Sequence, residues 1–149
     1  MISFGIEYVL LVIDVNNFKL LSDSYGNLFG DQVLILLARA IESMTDSSNV
    51  ISRIGGDEFG VLLPKSSVNA GKSFAKKLSS CFTEKINTRS ALIKKLTLSI
   101  GIEQYCNGDN DIKSVMLRVD GALYLAKQND QNCIMSSPNQ CSKSVIEWR

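Results

Sequence analysis

The stretch "RIGGDEFGVLL" (53–63) sets two glycines, Gly55 and Gly56, and two acids, Asp57 and Glu58, between short apolar runs. A second acid-bearing end lies upstream, where the apolar run "YVLLVI" (8–13) stops at Asp14. Strand ends are rigid, so carboxylates placed there can converge at a fixed separation. Magnesium takes hard oxygen ligands and binds through one or two carboxylates together with substrate phosphates. Gly55 and Gly56 allow a positive φ and let phosphate oxygens approach backbone N–H groups with no Cβ in the way. Lys19 and Lys127 are candidate phosphate partners. Each feature also has a plainer reading taken singly. A Gly-Gly-acid hairpin is more often just a turn, an acid after a strand is usually a helix cap, and a lone lysine is usually a solvated face.

Composition narrows the chemistry. The chain has 149 residues, enough for one domain with a sizeable core. Its formal net charge is +1, so no electrostatic argument favours nucleic acid or an acidic membrane surface. There is no histidine, and the cysteines Cys81, Cys106, Cys133 and Cys141 form no CxxC pair, which excludes a zinc site or a histidine relay. The cysteines read as reduced side chains of a cytoplasmic protein rather than a disulfide frame. The run 8–13 is too short to span a bilayer and has no basic leader, so neither a membrane span nor a signal peptide is expected.

The elements that must position these residues follow from periodicity. Tyr8 to Ile13 is a continuous apolar run, the pattern of a strand buried on both faces. The stretch 16–27 predicts a short helix ending in a Gly-Asn turn. A second helix follows from Asp31, which is placed to cap or lead it, with Val33, Leu34, Leu37, Ile41 and Met44 on one face. Val50–Ile54 and Phe59–Leu63 predict a hairpin around the glycines. The Pro64–Ser67 stretch opens a helix with Gly71, Phe74, Ala75, Leu78 and Phe82 on one face. The alternation in 95–105 predicts a strand, 106–111 a loop, and Ile112 to Ala126 a long amphipathic helix. Cys133 to Met135 reads as a last short strand. The order β-α-α-β-β-α-β-α-β implies an α+β domain over 1–136, followed by a tail or linker over 137–149. Phe59 and Tyr124 read as core.

Four blocks taken together resemble the GGDEF family, the diguanylate cyclases. The pentapeptide that names the family stands intact at 55–59. "DVNNFKLLSDSYGNLFGD" (14–31) resembles its DxDxFKxxNDxxGHxxGD stretch, "TLSIG" (97–101) its TxSxG strand, and "DGALYLAK" (120–127) its ADxALYxAK helix. The resemblance implies a palm-like nucleotidyl cyclase fold, with a central, mostly antiparallel sheet of about five strands flanked by helices. It implies condensation of two GTP, one per protomer of a homodimer, into cyclic di-GMP with release of pyrophosphate. By position, Asp14, the Val15 carbonyl and Asp57 would hold two magnesium ions, and Glu58 would assist metal binding or proton removal. Lys19 and Lys127 would neutralise the triphosphate, amides near Phe18 would cradle it, and Gly55 and Gly56 would make room for it. Asp31 would accept hydrogen bonds from guanine, and Arg53 would brace the hairpin acids.

The chain also departs from the family pattern. Ser22 stands where the family has a guanine-binding Asn, Asn27 where it has His, and Asn16 where it has the second acid of DxD. Asp130 and Gln131 replace a Gly-Arg pair that ends the last motif. With thirteen residues ahead of Asp14, the family's N-terminal turn and its helix are expected to be missing. Losing these polar contacts would weaken GTP binding by roughly 10²–10⁴-fold. An RxxD motif, which forms an inhibitory product site in many relatives, falls here on "DSSN", with Asp46 and Asn49 at its ends, so no such site is expected. Three functions follow: a cyclase with weakened substrate grip, an inactive domain serving as a GTP-binding regulatory or protein-interaction module, or a bare α+β interaction domain that binds no nucleotide. Any of them could serve sensor or phosphodiesterase domains of a longer chain, with no nucleic acid and no membrane contact.

Overall fold

The structure, a computed structural model, describes residues 8–89, 96–105, 112–128 and 134–136. Cys106, Cys133, Cys141, Asp130, Gln131, the loop 106–111 and the tail 137–149 lie outside the described residues. The described elements run β1 (Tyr8–Val15), α1 (Phe18–Tyr25), α2 (Asn27–Ser43), β2 (Val50–Arg53), β3 (Glu58–Pro64), α3 (Val68–Arg89), β4 (Leu98–Gln104), α4 (Ile112–Gln128) and β5 (Ile134–Ser136). This is the order that periodicity predicts.

The five strands form one sheet in the order β2-β3-β1-β4-β5. Strand β1 lies at its centre, antiparallel to β3 on one side and to β4 on the other, and only β5 pairs in parallel. Its continuous apolar run is explained by helices on both faces. Val9, Leu11, Ile13 and Val15 face a core shared with α2 and α3, where Leu37, Ile41, Leu78 and Phe82 are fully buried. Leu10 and Val12 face Val115, Val119 and Leu123 of α4. Each fully buried Val, Leu or Phe contributes about 1.5–3 kcal/mol, so both faces hold the central strand.

Helix α4 packs over Gly101 of β4, where a side chain would not fit. A Cβ there would lie 2.7 Å from the Leu123 backbone nitrogen and from the Val119 carbonyl oxygen. A second tie is the Glu103 carboxylate, buried on β4, which accepts a hydrogen bond from Arg118 Nε at 3.4 Å. Arg118 Nη2 also donates to the Gln104 carbonyl at 2.8 Å.

Two expectations about elements are corrected. Helix α2 begins at Asn27, so Asp31 neither caps nor leads it but stands exposed in its second turn. The reason is Gly26, whose φ of 98° ends α1 and starts α2 at a single residue. Its N–H donates to the Ser22 carbonyl at 2.8 Å, and its carbonyl accepts from Gly30 N–H at 3.2 Å. Tyr124 is 63% exposed rather than core, because the buried face of α4 runs through Val115, Val119, Ala122, Leu123 and Ala126. Phe59 is buried as expected.

Candidate active site

Asp14 is placed by the centre of the sheet. It is the penultimate residue of β1, opposite Glu58 of β3 and Ser99 of β4, and is 3% exposed. The β2–β3 hairpin turn brings Asp57 alongside, and Val15 N–H donates to the Asp57 carbonyl at 3.4 Å. From the opposite layer, Lys127 in the last turn of α4 reaches Asp14 and forms an ion pair between its Nζ and Asp14 Oδ2. Asp14 Oδ1 is buried with no hydrogen-bond partner.

The electrostatics follow from this packing. Burial pushes the Asp14 carboxyl up from 3.8 to about 6; the Lys127 hydrogen bond opposes the shift, and the neighbouring Asp57 carboxylate adds to it. Burial alone would lower Lys127. The Asp14 hydrogen bond and charge, with the charges of Glu58 and Asp57, instead leave it above its ordinary value. Asp14, Asp57, Glu58 and Lys127 thus form one interacting set.

The chain then turns sharply into α1. Asn17 adopts a left-handed conformation (φ 62°), and no side-chain hydrogen bond caps the start of the helix. An open cleft of ≈ 430 Å³ is lined by Asp14, Asp57, Lys127 and the Val15–Leu20 turn, Lys19 included. The turn is pinned from behind by Asn16, which sequence reasoning treated only as a lost acid. Asn16 Nδ2 donates to Thr97 Oγ1 at 3.0 Å, and Asn16 Oδ1 accepts from Ser99 Oγ at 2.9 Å. The signal for this role was present: Thr97 and Ser99 are hydroxyls flanking the apolar Leu98 at the start of β4, and a hydroxyl drawn into the interior needs a partner.

The glycines behave differently from expectation. Neither Gly55 nor Gly56 has a positive φ. Arg53 closes the turn by donating from Nε to the Gly55 carbonyl at 3.2 Å and from Nη2 to the Gly56 carbonyl at 2.6 Å. It therefore braces the turn's carbonyls rather than its acids. A Cβ on Gly56 would meet nothing, and one on Gly55 would meet only Glu58 at ordinary contact distance. The glycines leave open space above the turn that the fold itself does not need.

Not every predicted residue joins the cleft. Gly55, Gly56 and Glu58 of the hairpin, Ser22 near the end of α1 and Asp31 in the second turn of α2 all lie outside the cleft lining. Ser22 Oγ donates to Asn27 Oδ1 at 3.5 Å. It also lies 2.7 Å from where a Cβ on Gly30 would be, so that glycine makes room for it. The 46–49 segment is a self-satisfied turn. Asp46 Oδ1 accepts from Ser48 N–H at 2.8 Å and from Ser48 Oγ at 2.5 Å, and Asn49 Oδ1 accepts from Asp46 N–H at 2.9 Å.

The donor set fits a hard divalent cation. A buried carboxylate oxygen has no partner, a second carboxylate lies beside it, and a phosphate-sized cleft opens next to both. Among the described residues no three acids, cysteines or histidines cluster into a metal cage, so a cation here needs oxygens from a ligand.

The comparisons agree with this architecture. The family "Diguanylate cyclase, GGDEF domain" matches residues 5–133. The chain belongs to the GGDEF family, and its fold is the palm-like nucleotidyl cyclase fold of that family. It is similar to diguanylate cyclase A of Treponema denticola, 35% identical over 135 residues, covering 91% of this chain and 36% of that protein. It is likewise 35% identical to the diguanylate cyclase DgcM of Escherichia coli over 134 residues, 88% of this chain and 31% of that one. Among solved structures it resembles the active GGEEF domain of a diguanylate cyclase from Vibrio cholerae. That match has a TM-score of 0.81 and 29% identity, and covers 90% of this chain and 85% of that one. The GGDEF domain of DgcB from Caulobacter crescentus, solved with c-di-GMP, gives a TM-score of 0.75 at 26% identity over 90% of this chain and 80% of that one. The chain spans about a third of the length of these curated relatives.

Proposed function

We propose that this domain is a diguanylate cyclase that condenses two GTP into cyclic di-GMP and two pyrophosphates. The observation that carries the reading is the half-satisfied Asp14 carboxylate, set beside Asp57 and Lys127 in the cleft lined by the Val15–Leu20 turn. Asp14, Asp57 and the Val15 carbonyl would hold two magnesium ions, with Glu58 assisting. Bound there, the cations would polarise the α-phosphate and lower the pKa of the attacking 3′-hydroxyl. Lys19, Lys127 and the amides near Phe18 would hold the triphosphate, and Gly55 and Gly56 would make room for it. Ser22 and Asp31 would meet guanine at the α1–α2 junction.

One site holds one nucleotide, so the reaction calls for a homodimer with the two sites facing. The reading carries a cytoplasmic location, where GTP is supplied. Among the described residues no helix is long and apolar enough to cross a membrane. Because the relatives are about three times longer, sensor or phosphodiesterase domains are the proposed neighbours in a longer chain. A solved protein from M. capsulatus that is similar to this chain is described as an EAL/GGDEF domain protein, and SiaD of Pseudomonas aeruginosa was solved with its activator SiaC.

A second reading, a GTP-binding regulatory module without catalysis, is favoured by Ser22, whose hydroxyl is turned to Asn27. Incubating the purified protein with GTP and magnesium and resolving the products by chromatography separates the two. Cyclic di-GMP, lost in Asp57→Ala, supports the cyclase. Bound GTP without product supports the module, and no GTP binding overturns both.

A further inference from the structure

We propose that Lys127 is a resident counter-ion of Asp14, one that keeps a lone divalent cation out and yields only to a cation arriving with a triphosphate. The inference rests on the proposed nucleotide site but concerns the order in which that site fills. The ion pair joins the end of α4 to the end of β1, elements from different layers of the fold. It is therefore set by tertiary packing rather than by local sequence. A single ammonium satisfies one carboxylate oxygen and leaves Asp14 Oδ1 buried without a partner, which is the shape of a substitute rather than of a finished structural pair.

Two features make the substitution reversible. The Lys127 side chain is 43% exposed while that of Asp14 is 5% exposed, so the lysine is the partner able to move. It also lines the same cleft as the first turn of α1, so on leaving Asp14 it remains where a triphosphate would lie. A cation alone must displace an ammonium already in contact, and among the described residues no three acids cluster closely enough to form a metal cage in compensation. A cation carrying a triphosphate supplies further oxygen ligands and gives the displaced ammonium a new anionic partner. Cation and nucleotide then bind with positive coupling, and each raises the affinity of the other by the same factor.

The test is a manganese titration followed by electron paramagnetic resonance, without nucleotide, on the wild type, Lys127→Met and Lys127→Arg. Removing the resident charge should tighten manganese alone by about 10-fold or more, while the arginine variant, which keeps the charge, stays near the wild type. With manganese and a non-hydrolysable GTP analogue the order reverses, and Lys127→Met should bind the pair about 10-fold more weakly. Thermal melts check folding, and Lys127→Gln replaces the methionine variant if that one melts early. Manganese bound no tighter by a folded neutral variant overturns the proposal. Failure of the wild type to bind manganese with the analogue would overturn the nucleotide site instead, because the cation-only comparison needs no nucleotide.

Discussion

Asp14 has one oxygen against the Lys127 ammonium and one against nothing, with the Asp57 carboxylate alongside. Its folded pKa of about 6 lies above its ordinary 3.8. For an acid raised on folding, the stabilising contribution is fully present below the ordinary value and is lost as pH rises through the folded one. The metal-free protein is therefore penalised above about pH 6, where the buried carboxylate must ionise, and a cation relieves that penalty. Magnesium with a GTP analogue should raise Tm more at about pH 7.5 than at about pH 5.5. Equal gains at both would show that Asp14 is not the ligand. Ser22 is the other residue that matters at this scale. An Asn carboxamide offers a base edge both a donor and an acceptor, where a serine hydroxyl is shorter. Ser22→Asn should tighten GTP binding by about 1 kcal/mol or more, measured by calorimetry, and an unchanged affinity would move guanine elsewhere.

Helix α4 delivers Lys127, and Gly101 sets how closely α4 can lie. Gly101→Ala puts a methyl 2.7 Å from the Val119 carbonyl and the Leu123 nitrogen, and backbone cannot step aside as a side chain can. The cost should be about 1–3 kcal/mol, read as a lowered denaturation midpoint. The core on the α2–α3 face is untouched, so the domain should still fold. Nucleotide binding should fall as well, because α4 is displaced and Lys127 with it; full affinity in a destabilised variant would separate helix position from function. The α2–β2 loop makes the opposite point. Asp46 and Asn49 spend their polar groups on their own turn, and the Ser48 hydrogen bonds hold Asp46 below its ordinary pKa. An anion there repels phosphate. Cyclic di-GMP titrated onto the protein should show no binding that Asp46→Ala removes.

Across the whole molecule, a sheet with helices on both faces presents the cleft of the proposed nucleotide site at one end of its central strand. A product built from two GTP then requires two copies of the domain to meet. Specific activity should fall on dilution as the dimer dissociates, and fusion to a dimeric coiled coil should restore it. Constant specific activity down to the lowest measurable protein concentration would mean that one domain suffices.

The order of elements, the doubly covered strand 8–13 and the glycine-acid hairpin were legible from the sequence because they rest on local periodicity and turn chemistry. Four motif blocks in order were enough to indicate the family. The start of α2 was misread at Asp31 because an acid is a common cap, whereas Gly26 was already ending one helix and beginning the next. Tyr124 was misread because an apolar side chain within an amphipathic helix says nothing of which neighbour covers it. Only tertiary structure could pair Lys127 with Asp14, leave one of its oxygens without a partner, and bind Asn16 to Thr97 and Ser99. Those contacts join residues 113, 81 and 83 positions apart. Periodicity reaches one or two turns along the chain, while contacts at that separation are decided by how sheet and helices pack.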